Sequence, residues 1–159
     1  MEFFNSHGTE FEILAYVAVA MMLGAIIGLE REFKDKPAGL RTHMLVAGAA
    51  ALLVSLGNVV TSQYQLELGG QAVQADPIRI MEAVITGVSF LGAGTIIRSR
   101  AGGQVEGLTT AATLLVAAAV GGCVALSQIL LSVGITALVL ITLRGLGFAE
   151  KRVAENKES

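Results

Sequence analysis

Apolar residues along this chain fall into five long stretches, at about 11–29, 41–60, 78–97, 108–124 and 126–143, parted by short polar segments. Each holds roughly 17 to 20 residues, and at about 1.5 Å of rise per residue a helix of that length reaches across a hydrocarbon layer about 30 Å thick. No water is present in that layer to satisfy backbone amides, so each stretch is predicted to be a helix. The pattern therefore predicts an all-α, polytopic membrane bundle of about five helices. Residues 1–145 form its membrane domain and 146–159 a short tail. Local start and stop signals fit. Thr9 and Glu12 have capping-box spacing, Asp76 precedes Pro77 at the start of the third stretch, and Gly145 follows the fifth where a left-handed cap is cheapest.

The polar segments alternate in charge. The amino terminus, the segment 61–77 and the turn between the fourth and fifth stretches contain no lysine or arginine, apart from Arg79 just beyond 77. The other segments carry Arg31, Lys34, Lys36 and Arg41, then Arg98 and Arg100, then Arg144, Lys151, Arg152 and Lys157. Under the positive-inside rule these basic segments face the cytoplasm, with the amino terminus outside.

Composition supports a membrane solvent. Of 159 residues, 53% are hydrophobic and only 15% charged, too apolar for a soluble domain of this length. The net charge of −2 gives no reason to expect nucleic acid as a partner. Cys123 stands alone inside an apolar stretch, which excludes an internal disulfide and reads as a small packed hydrophobe. Met1 to Phe11 holds no basic residue, so no cleavable signal peptide is expected.

An internal repeat emerges when the chain is shifted by 68 residues: Leu23-Gly24-Ala25 falls on Leu91-Gly92-Ala93, Gly39-Leu40 on Gly107-Leu108, and Thr42 on Thr110. Both copies begin and end outside, so they are predicted to be parallel, related by an axis along the membrane normal.

Small residues recur at helix-packing spacing, as Ala20, Gly24 and Gly28, as Ala47, Ala51 and Ser55, and as Ala83, Gly87 and Gly94. Such stripes let helix backbones approach closely, either within one chain or between copies in a homo-oligomer. The ionisable residues near the stretches are Glu30, Arg31, Arg41, Arg79, Glu82 and Arg98. A charge at mid-bilayer costs roughly 2.5–3.5 kcal/mol on insertion scales, which favours pairing or function. Arg79 and Glu82 lie one turn apart and are placed to pair, with Thr86 and Ser89 continuing a polar stripe expected to face the bundle. The turn at Pro37-Ala38-Gly39 is expected to return Arg41 beside Glu30 as a rigid charged corner. No nucleotide loop, zinc motif or nucleophile–base pair is found, so neither enzymatic chemistry nor a cofactor is expected.

The segments GLERE (28–32), PAGLRTHML (37–45), GVSFLGAGTI (87–96) and VEGLTTAAT (105–113) resemble the MgtC/SapB family of bacterial inner-membrane proteins. Ser89 stands where the family usually has glycine, and Leu115 where tryptophan is common. The resemblance carries Glu30, Arg31, Pro37, Gly39, Arg41 and Thr42, and Gly92, Gly94, Gly107, Thr109 and Thr110, as motif residues without established chemical roles. It implies adaptation to low magnesium or acid, and virulence in pathogens, through a membrane partner such as the F-type ATP synthase. Longer relatives continue into a soluble cytoplasmic domain, and regulation through one is not expected here. The other readings are a magnesium or proton transporter using Glu82 in an oligomer, and a purely lipid-organising protein.

Overall fold

A computed structural model of the chain describes residues 2–67, 77–99 and 107–155, with side-chain surroundings for 7–63, 78–96 and 107–145. The described residues form α1 (Glu2–Glu32), α2 (Leu40–Glu67), α3 (Pro77–Ser99), α4 (Leu108–Ala125) and α5 (Ile129–Glu155), with no strand among them. Four of these are long and apolar enough to cross a membrane. The apolar part of α5, Ile129–Gly145, is shorter. The protein is a multi-pass membrane helix bundle.

Two local expectations are corrected. Thr9 does not start a helix, because α1 already begins at Glu2. Gly145 does not end one: α5 continues through it to Glu155. The fourth and fifth apolar stretches are parted by a turn at Leu126 to Gln128. Pro77 does open α3, whereas Asp76 lies outside the described residues.

Two helix ends close without glycine. Lys36 N–H donates to the Arg31 carbonyl and Asp35 N–H to that of Glu32, with Asp35 at φ 51°. Gln128 donates to Cys123 and Ser127 to Val124 in the same way, with Ser127 at φ 60°. These crossed bonds satisfy carbonyls that the helix leaves free, using a left-handed residue as the stop.

α1 packs on α2 and α3 on α4; α1 also meets α4, α3 meets α2, and α2 and α4 lie against each other. Exchanging α1 with α3 and α2 with α4 returns this set of neighbours unchanged. The register of the repeat reappears in the atoms. His43 N–H donates to the Gly39 carbonyl at 3.2 Å, and 68 residues on Ala111 N–H donates to Gly107 at 2.8 Å. A β-carbon at Gly24 would stand 2.5 Å from the His43 carbonyl oxygen, and one at Gly92 would stand 3.1 Å from the Ala111 methyl. α2 and α4 both start at matched leucines, Leu40 and Leu108. Only α5, packed on α1 and α4, lies outside the exchange.

The core is small-residue packing. Ala20, Ala47, Ala51 and Ala117 are fully buried, and a β-carbon at Gly121 would collide with the Ala47 backbone. Dispersion between closely approaching backbones holds such a bundle where lipid removes any hydrophobic drive between helices.

Candidate functional site: a polar junction at the basic end

The last turn of α1, the turn after it and the first turns of α2 and α4 meet in a cluster of buried polar groups. Glu30 and Arg31 are only 4% and 3% exposed. Arg31 Nε donates to Glu30 Oε2 at 2.6 Å, and Nη2 lies 2.6 Å from the same oxygen. Lys34, one turn further, places Nζ 2.7 Å from Oε1, an ion pair without good hydrogen-bond alignment. The same ammonium donates to the Leu143 carbonyl at 2.8 Å, tying the end of α5's apolar stretch to α1. One carboxylate is thus held between two cations, as a charge kept from water requires.

Glu32 has a different task. Its Oε2 accepts from Leu40 N–H at 2.7 Å, satisfying a free amide at the start of α2. Gly39 leaves the room for it, since a β-carbon there would collide with that carboxylate. On the next turn of α2, His43 is fully buried. Its Nδ1 lies 2.9 Å from the Gly39 carbonyl, which only accepts, so Nδ1 carries a proton. Nε2 lies 3.1 Å from the Thr113 hydroxyl, which donates to the Thr110 carbonyl at 2.9 Å. This relay joins α2 to α4 across the centre of the bundle.

Several expected site residues lie elsewhere. Arg41 is exposed and makes no ion pair among the described residues; Lys34 takes the position beside Glu30 expected for it. The reason is geometric: Lys34 follows Glu30 by four residues, in the turn that closes α1, whereas Arg41 comes after the Pro37-Ala38-Gly39 turn and is exposed on α2. Arg79 and Glu82 form no ion pair among the described residues, and both are exposed with Thr86 and Ser89 on the outer side of α3. The polar stripe expected to face the bundle faces outward, because Val88 and Gly92 turn inward. The Thr86 hydroxyl donates to the Glu82 carbonyl at 2.8 Å. Arg98 lies in the last turn of α3 with its side chain outside the described set.

Of the remaining motif residues, Thr110 is buried, Thr42 half-buried and Thr109 exposed. Gly24 and Gly28 seat α1 on α2: a β-carbon at Gly28 would stand 2.7 Å from Leu40 Cα. Gly107 caps α4 at φ 90°, a conformation that favours glycine, with the Thr95 carbonyl 3.1 Å from where a β-carbon would be. Gly87 and Gly94 have open space beside them. Lys34, Glu32 and His43 were missed as members of the junction, although the four-residue spacing of Glu30 and Lys34 signalled that pair.

The MgtC family model matches residues 17–152, which spans the junction and α1 to α5. The chain belongs to the MgtC family. It is 38% identical over 130 residues to Protein MgtC of Salmonella typhimurium, covering 82% of this chain and 50% of that relative. To Protein MgtC of Brucella abortus it is 41% identical over 107 residues, covering 67% and 40%. An uncharacterized protein of Haemophilus influenzae is 32% identical over 132 residues, covering 83% and 54%. The chain thus spans about half the length of the MgtC-family relatives it matches. No solved structure matches it.

Proposed function

We propose that the chain is a non-enzymatic protein of the bacterial inner membrane that modulates a membrane partner, such as the F-type ATP synthase, during adaptation to low magnesium or acid, and in pathogens during virulence. Family membership supports the setting. The observation that carries the reading of a modulator is the junction itself. Glu30 is neutralised by Arg31 and Lys34, and His43 is committed to Gly39 and Thr113, so these polar groups bind helices together. A transport path needs groups free to take up and release an ion.

Charge supports an orientation with the amino terminus outside. The Lys34–Leu143 tie and the His43–Thr113 bond gather the end of α1, the starts of α2 and α4 and the apolar end of α5 at one side. That side carries Arg31, Lys34, Lys36, Arg41 and Arg144, a basic cluster that supports a cytoplasmic face there.

The test is ATP synthesis in inverted membrane vesicles with and without the protein, beside magnesium and proton flux in proteoliposomes. Lowered ATP synthesis with no flux is expected. Flux abolished by Glu82→Ala would replace this reading with a transporter.

A further inference from the structure

α3 is the least covered of the four long apolar helices, with 11% of its span buried inside the bundle. Val88 and Gly92 face inward. On the opposite side stand Arg79, Ala83, Thr86, Phe90 and Ala93, all exposed, with Phe90 81% exposed. Their spacings alternate between four and three, the seam repeat of helices that pack side by side. Glu82 flanks the seam and is also exposed.

The repeat supplies an internal control. The residues 68 positions earlier, at matched places on α1, are Phe11, Ala15, Ala18, Met22 and Ala25, with Leu14 at the place of Glu82. Phe11, Leu14 and Met22 are large and exposed, as a lipid-facing surface should be. Where α1 offers phenylalanine and leucine to lipid, α3 offers an arginine and a glutamate that form no ion pair with each other. Neither charge has an ion-pair partner among the described residues, and a protein cover carrying the complementary acid and base would supply one.

We propose that the cover is a second copy of this chain. Two copies inserted with the same orientation are related by a two-fold axis along the membrane normal, which sets α3 parallel to α3. Such a contact is self-complementary: Arg79 of each copy lies beside Glu82 of the other, giving two ion pairs from one surface. Ala83 and Ala93 allow the close approach, and Phe90 packs at the centre. This inference does not depend on the proposed function.

The test is disulfide crosslinking in native membranes, in a Cys123→Ala background. Ala83→Cys and Ala93→Cys should give a crosslinked dimer at least ten-fold more efficiently than Ile85→Cys and Leu91→Cys, which flank the seam. Glu82→Arg should reduce the dimer several-fold at unchanged protein level, and Arg79→Glu combined with Glu82→Arg should restore it. Equal crosslinking at seam and flank, capture of a different protein, monomers throughout, or failure of the double reversal would each overturn the proposal.

Discussion

The two hairpins of this bundle share a register and differ in what they hide. In α1–α2, the small-residue stripe Ala20, Gly24, Gly28 is turned into the neighbouring helix, and the charged residues at its end are closed on one another. In α3–α4, the stripe Ala83, Gly87, Gly94 faces outward with open space at both glycines, and Arg79 and Glu82 stand on the surface with no ion pair among the described residues. The difference shows that a small-residue stripe does not reveal its partner by itself. The repeat does, because Ala20, Gly24 and Gly28 map onto Val88, Gly92 and Ile96, which is the face α3 turns inward.

Matched substitutions should separate the halves. The largest contrast is between two carboxylates within spans. Glu30→Gln leaves Arg31 buried without its counter-charge and should cost about 3–5 kcal/mol, while Glu82→Gln should stay within about 0.5 kcal/mol for the isolated protomer. Chemical unfolding in dilute detergent measures both, and equal costs would break the comparison. Next come the glycines. Gly24→Val forces a side chain onto the His43 backbone and should lower stability by about 1–3 kcal/mol or more, whereas Gly87→Val meets open space and should leave the melting temperature of the detergent-solubilised protomer unchanged.

Third, His43→Leu removes the relay to Thr113 that its repeat counterpart Ala111 never makes. A loss of about 1–3 kcal/mol is expected, with faster hydrogen exchange at the start of α4. The smallest effect is Lys34→Ala. Its half-exposed ion pair should contribute below about 1 kcal/mol globally, yet exchange near Leu143 should rise as α5 loosens from α1. Unchanged exchange there would remove Lys34 as the tie.

The apolar stretches placed α1 to α4 well because spanning a membrane is a local matter of length and hydropathy. Their ends were less legible. α1 begins before its apparent capping box because the polar turns ahead of the span also wind into helix. The stops at Asp35 and Ser127 carried no glycine signal. At the junction, Glu30 and Arg31 could be picked out as charges at a span end, but their closing partner depended on helix phase, which favoured Lys34 over the more distant Arg41. The outward facing of Glu82 depended on which neighbours α3 acquires. That is a long-range outcome, and only the 68-residue register hinted at it.

The contrast between α1 and α3 is tested most directly by the lipid accessibility of spin labels in bilayers, placed at Ala15 against Ala83 and at Ala18 against Thr86. Each pair occupies matched places in the repeat, so the depth gradient cancels. The account predicts that labels on α1 collide freely with lipid-soluble oxygen while those on α3 are shielded several-fold. Equal accessibility on the two helices would contradict it.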